Sequence, residues 1–264
     1  MPPESKPPAV LPIAKEIELI RKAYRPDGML RALIYGVSGV GKTYSLRTAR
    51  RPIHIDSFDP NGTQSVDDCI QAGWIYADTR YEIEDPRKPT AWKLFDSEIH
   101  RRYREGYFEH ISTYATDLTS MSAAAMNQVL AEANRHGGVP QQNDWLPQMN
   151  KLENAIRFLM SMPCDIVILA HVNTVKDEII GKLHYSPMIT GKLMVRIPLM
   201  FSEIWVALTK ESADGLQYRW LTQAAGSYTA RTRLGKGGLF QKYEECDFKK
   251  LLKKANKSTQ DKEY

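Results

Sequence analysis

The run Gly36-Val37-Ser38-Gly39-Val40-Gly41-Lys42-Thr43-Tyr44 places three glycines, a lysine and a hydroxyl at the spacing that wraps backbone around a polyphosphate. Glycine lets the chain turn tightly without Cβ clashes, so consecutive N–H groups can converge on an anion. Lys42 would add a point charge for the β- and γ-phosphates, and Thr43 a hydroxyl for Mg²⁺. The implied ligand is ATP with Mg²⁺. The competing reading is a glycine-rich turn before an ordinary helix. Context argues against it: the apolar run Ala32–Tyr35 leads into the loop, and a helix-compatible segment from Tyr44 to Arg51 leaves it, stopped by Pro52.

A phosphate loop needs a second acidic group to complete the metal shell, normally at the end of a neighbouring strand. Asp117, after Ile111-Ser112-Thr113-Tyr114-Ala115-Thr116, fits that place; its alternative role is a helix N-cap. Hydrolysis also needs a group to orient or deprotonate water. Asp59 and Asp56 stand at the end of the segment Pro52–Asp56, with turn chemistry of Asp59-Pro60-Asn61-Gly62 as the alternative. Asp59, past the strand end, has the better reach. His171 ends the apolar run Asp165–Ala170, where ligands of open parallel sheets bind, so it is a candidate γ-phosphate sensor or else a capping histidine.

These groups need elements to hold them. Thr90 to Tyr107 carries Trp92, Phe95, Ile99 and Tyr103 at helical spacing, and Ser120 to His136 and Leu146 to Met162 also read as helices. A short helix is expected from Lys15 to Tyr24. Strands over 32–35, 52–56, 111–116, 165–170 and 204–208 alternate with helices, which implies an α/β fold with a mostly parallel sheet flanked by helices. Gln217–Leu221 and Ser227–Arg233 read as late antiparallel strands. Five prolines in residues 1–14 suggest a flexible arm, and the lysine-rich stretch 249–264 a partly disordered tail, leaving 15–248 as one domain.

With 264 residues, 42% apolar and 25% charged, the chain can bury one large α/β core but has little room for appended motor domains. No apolar run approaches the roughly 18 residues of a membrane span, and Met1-Pro2-Pro3-Glu4 lacks a signal-peptide profile, so a cytoplasmic location and no membrane partner are expected. Cys69, Cys164 and Cys246 are isolated, which argues against a disulfide framework or a zinc site. The net charge of +5 permits a polyanionic partner.

Taken in order, these motifs resemble the RecA-type ATPases encoded by bacteriophages, a group that includes the RecA-like single-strand annealing proteins of phage recombination. The matching stretches are the loop at 36–43, Asp117-Leu118-Thr119-Ser120, Asn143-Asp144-Trp145, Ile168-Leu169-Ala170-His171, Ile189-Thr190-Gly191-Lys192-Leu193 and Ala230-Arg231-Thr232-Arg233-Leu234-Gly235. The resemblance runs from about residue 30 to about residue 255. It implies a RecA-like P-loop NTPase fold and a homo-oligomer, ring or filament, with nucleotide at subunit interfaces. Related ATPases reach into the neighbour's nucleotide with a Lys-x-Arg pair; Arg231 and Arg233 occupy that pattern, with Arg in place of Lys, and an exposed basic edge is the alternative.

The resemblance also implies a loop to single-stranded DNA over 173–198, where Lys176, Lys182, Tyr185, Lys192 and Arg196 supply cations and an aromatic surface. A plain solvated loop is the other reading, since Asp177 and Glu178 interrupt the charge. The family's catalytic Glu is Asp in this chain, which points to slow turnover. The expected function is an ATP-dependent, DNA-stimulated ATPase of phage recombination or annealing in the host cytoplasm, with a phage or host single-strand-binding protein as a candidate partner. A nucleotide-gated replication scaffold with little hydrolysis and a small translocating motor are the rivals.

Overall fold

The computed structural model describes residues 13–23, 28–176, 181, 183–212 and 215–262. Helix α1 (Ile13–Ala23) opens it, beginning two residues earlier than expected, so the last two positions of the expected proline-rich arm are helical and the rest lie outside the described residues. Strand β1 (Arg31–Gly36) follows and runs into the glycine loop and α2 (Lys42–Ser45). Next come β2 (Ile53–Asp56), α3 (Asp67–Gln71), β3 (Ile75–Asp78), α4 (Ala91–Arg104), α5 (Tyr107–His110), β4 (Thr113–Asp117), α6 (Leu118–Glu132) and α7 (Trp145–Met160). The C-terminal half holds β5 (Asp165–Lys176), β6 (Leu183–Pro187), α8 (Leu193–Arg196), β7 (Glu203–Ser212), β8 (Gly215–Leu221), β9 (Tyr243–Glu245) and α9 (Phe248–Lys254).

Among the described residues the strands form one sheet in the order β3-β2-β4-β5-β1-β7-β8-β9, with β6 paired to the distal half of β5. From β3 to β7 every pairing is parallel; β8, β9 and β6 are antiparallel additions. The α/β class, mostly parallel with late antiparallel strands, is thus as the sequence implied. Alternation along β1 explains why it sits at the centre. Leu33 and Tyr35 face a core closed by α4, α6 and α7, whereas Ala32 and Ile34 face a second core holding Val40, Leu46, Cys69 and Phe248.

Three expectations change. The segment after the loop is a single α-turn followed by a 3-10 turn, Leu46–Thr48, rather than a full helix to Arg51. Residues 227–233 form isolated bridges, Ile204 with Arg231 and Tyr185 with Tyr228, and no strand. The lysine-rich stretch is helical over Phe248–Lys254: α9 turns Phe248, Leu251 and Leu252 inward while its lysines stay in water, which the alternation FKKLLKK allows. Beyond α9 the chain returns across the sheet's lower edge, where Asp261 accepts from the Arg51 N–H and the Lys262 ammonium donates to the carbonyls of Glu109 and Ile111. Among the described residues, no helix is long and apolar enough to cross a membrane.

Candidate nucleotide-binding site

The C-terminal ends of β1, β2, β4 and β5 open into a cavity of about 790 Å³, within the range of small-molecule sites. Its floor is the glycine loop. Gly39 and Gly41 adopt left-handed backbone (φ 79° and 78°), and a Cβ on Gly36 would stand 2.5 Å from the Ala207 carbonyl of β7, so conformation favours glycine at the first two and close approach at the third. Because α2 is so short, the field at the loop comes chiefly from its own N–H groups and Lys42 rather than from a long helix. The Lys42 ammonium donates to the carbonyls of Gly36 (3.0 Å) and Val37 (2.7 Å). Burial lowers its pKa to about 8, with the Asp59 charge partly opposing that shift.

Facing the loop are Asp117, Asp59 and His171, from β4, the β2 end and β5. Asp117 is both a cap and a buried acid: one oxygen accepts from the Ser120 N–H (3.0 Å), capping α6, and the other from the Phe58 N–H (2.9 Å). The two readings of Asp117 are therefore compatible. Burial raises its pKa, and nearby Asp59 pushes the same way while the backbone donors oppose. A carboxyl held in that state is primed to ionise when a cation arrives. Asp59 lines the cavity, its carboxylate 3.4 Å from the Ser120 hydroxyl.

Asp56 is a different case. Its carboxylate lies fully buried, taking hydrogen bonds from Arg102 (2.8 Å) and the Tyr114 hydroxyl (2.6 Å) and contacting His54 at 2.8 Å. Burial would raise its pKa, but His54 and Arg102 outweigh that and hold it below the usual carboxylate range. Asp56 is thus committed to the sheet, which separates it from Asp59 as a candidate base.

A magnesium ion takes oxygen ligands and keeps several waters, so it needs only one or two protein groups beside phosphate oxygens. The Thr43 hydroxyl and Asp117 carboxylate, both on the cavity wall, are hard oxygen donors of that kind. Among the described residues no cluster of three His, Cys, Asp or Glu forms a metal site that would need no phosphate. The residues present therefore fit a nucleotide-borne Mg²⁺.

His171 lines the cavity, and its backbone is held on both sides: its N–H donates to the Thr119 hydroxyl (3.0 Å) and its carbonyl accepts from the Met188 N–H (2.7 Å). That ties it to the segment read as a DNA loop, which is instead a hairpin of β5 and β6 followed by α8. Lys176 is exposed on the hairpin and Lys192 is exposed just before α8. Tyr185 is half-buried and stacked on Tyr228, ring centroids 4.4 Å apart, which leaves one face at most for a base. Arg196 pairs with Glu153 at 2.9 Å while its side chain stays 55% exposed. Lys182 lies outside the described residues.

Arg231 and Arg233 sit far from this cavity, at the opposite ends of the strands: Arg231 bridges to Ile204, and the N–H of Arg233 donates to Glu203 at the start of β7. The Arg231 guanidinium donates to the carbonyls of Pro198 (2.8 Å) and Phe201 (2.7 Å), so it braces the fold. Burial lowers its pKa, with Arg233 adding to the effect. Neither arginine lines the cavity. Residues that sequence reasoning missed include Thr119, Tyr218, Ser57 and the wall of residues 63–65; only the alternation of Tyr218 with the buried Trp220 along β8 was there to find.

A parallel sheet whose central strand empties into a glycine loop, with a buried acid two strands away, defines a P-loop nucleotide-binding protein. A family model described as an AAA domain matches residues 29–234, so the chain belongs to this AAA-domain family of P-loop ATPases. No curated protein matches the sequence. Solved structures it is similar to include a KaiC-like protein of the hyperthermophilic archaeon Pyrococcus horikoshii (11% identity, TM-score 0.42, 74% of this chain and 78% of that one). Another is the flagellar accessory protein FlaH of Methanocaldococcus jannaschii (12% identity, TM-score 0.39, 82% and 83%).

Proposed function

We propose that the protein is a RecA-like ATPase that binds ATP with Mg²⁺, assembles as a homo-oligomer on single-stranded DNA and acts in phage recombination or annealing. What carries this reading is the single cavity in which Lys42, Asp59, Asp117 and His171 meet the glycine loop. The loop N–H groups and Lys42 hold the phosphates, and Thr43 and Asp117 hold the metal. Bound Mg²⁺ supplies charge neutralisation on the phosphate oxygens. Asp59 orients the attacking water and accepts its proton, and His171 contacts the terminal phosphate.

Two hydrogen-bonded links would make DNA affinity follow nucleotide state. One is the His171 carbonyl with Met188, directly after β6. The other is Tyr35, the residue before Gly36: its hydroxyl accepts from the Thr229 N–H (3.0 Å) and donates toward the carbonyls of Thr229 (2.8 Å) and Tyr185 (3.1 Å). Movement of the loop would thus reach the hairpin and the 225–233 segment together. DNA affinity measured without nucleotide, with ADP and with a non-hydrolysable ATP analogue should differ at least several-fold; equal affinities in all three states contradict the reading. A nucleotide switch with little hydrolysis is favoured by one observation: both Asp117 oxygens already accept backbone N–H groups.

A further inference from the structure

The cavity has a direction. Its charged end lies on the β4 side of β1, where Asp59 acts electrostatically on both Lys42 and Asp117. A terminal phosphate belongs there, so the remainder of a nucleotide must extend the other way, toward β7 and β8. From β4 to β8 is four strand spacings, about 19 Å, comparable with the length of an extended nucleoside triphosphate.

At that far end stands Tyr218. It pairs with Thr209, past the point where β1 ends level with Ala207, so its ring rises beyond the sheet to the height of the glycine loop. Trp220, on the same face of β8, is fully buried against Trp205, which anchors the strand beneath. The Tyr218 ring lies over Gly41, 3.1 Å from where a Cβ would be, yet the residue is 44% exposed and lines the cavity. An aromatic face left in water beside a phosphate loop is a stacking platform, because every nucleobase presents a π-face. Tyr44, the other exposed aromatic of the cavity, already carries the Arg47 guanidinium 4.2 Å above its ring.

We infer that Tyr218 is the nucleobase platform of this site: the base of the bound nucleoside triphosphate stacks on its ring while the phosphates run along the loop toward Asp117. The inference rests on the proposed nucleotide binding and assigns the end of the ligand that the loop motif leaves open. A Cβ on Gly41 would crowd the ring at 3.1 Å, in addition to the left-handed backbone that already favours glycine there.

The test compares ATP with inorganic tripolyphosphate, which has the phosphates and no base, on wild type, Tyr218→Ala, Tyr218→Phe and Lys42→Ala, by calorimetric titration with Mg²⁺. Tyr218→Ala should weaken ATP binding about tenfold, as loss of one base stack does, and leave tripolyphosphate unchanged; Tyr218→Phe should bind both as wild type does. Unchanged ATP affinity in Tyr218→Ala overturns the assignment, and so does an equal loss for ATP and tripolyphosphate, which would mean a distorted loop. If wild type binds neither ligand and Lys42→Ala is indistinguishable from it, the underlying nucleotide reading fails instead.

Discussion

Lys42 shows how one residue's surroundings set the conditions for the whole site. An ammonium with a pKa near 8 is mostly charged at pH 7 and mostly neutral at pH 9. Phosphate binding favours the charged form, so ATP binding takes up a proton above pH 8. Affinity should therefore fall about tenfold between pH 7 and pH 9. Binding titrations across that range check it, and a flat profile contradicts it. Asp117 moves in the opposite sense: its raised pKa means that Mg²⁺ competes with a proton, so metal-dependent binding should weaken on acidification. The glycine spacing and Asp117 were legible in the sequence because their chemistry is local. That Asp56 is committed to Arg102 and Tyr114 was not, since those partners arrive from α4 and β4, far along the chain.

Among the elements, the hairpin of β5 and β6 departs most from what the sequence suggested. Gly181, Pro187, Gly191 and Pro198 punctuate the stretch expected as a loop, yet β5 continues past His171 to Lys176 and pairs residues Val172 to Lys176 with Pro187 to Leu183. Backbone pairing overrode the polar, irregular composition, as it can when a strand already rooted in the sheet extends its ladder. Helices α4 and α7 were legible because their apolar spacing follows the face they bury; β9 and α3 were too short to leave such a period. If the hairpin tracks DNA phosphates, Lys176→Ala and Lys192→Ala should each weaken single-strand binding similarly across sequences and lower the salt dependence by about one ion. Salt titrations of the two variants read this directly; unaltered slopes would move the DNA path elsewhere.

For the molecule as a whole, the cavity is complete on the phosphate side and the arginine pair faces the far end of the sheet. Arg231 is spent on the carbonyls of Pro198 and Phe201, which leaves Arg233 as the cation able to serve a neighbouring subunit's nucleotide. In the proposed assembly turnover would require a neighbouring subunit, and single-stranded DNA, by aligning subunits, would raise it. The most direct measurement is steady-state ATP turnover with and without single-stranded DNA, beside Lys42→Ala. The account expects turnover that increases on adding DNA and vanishes in the variant. ATP binding with turnover indifferent to DNA, or hydrolysis that survives the loss of Lys42, would contradict it.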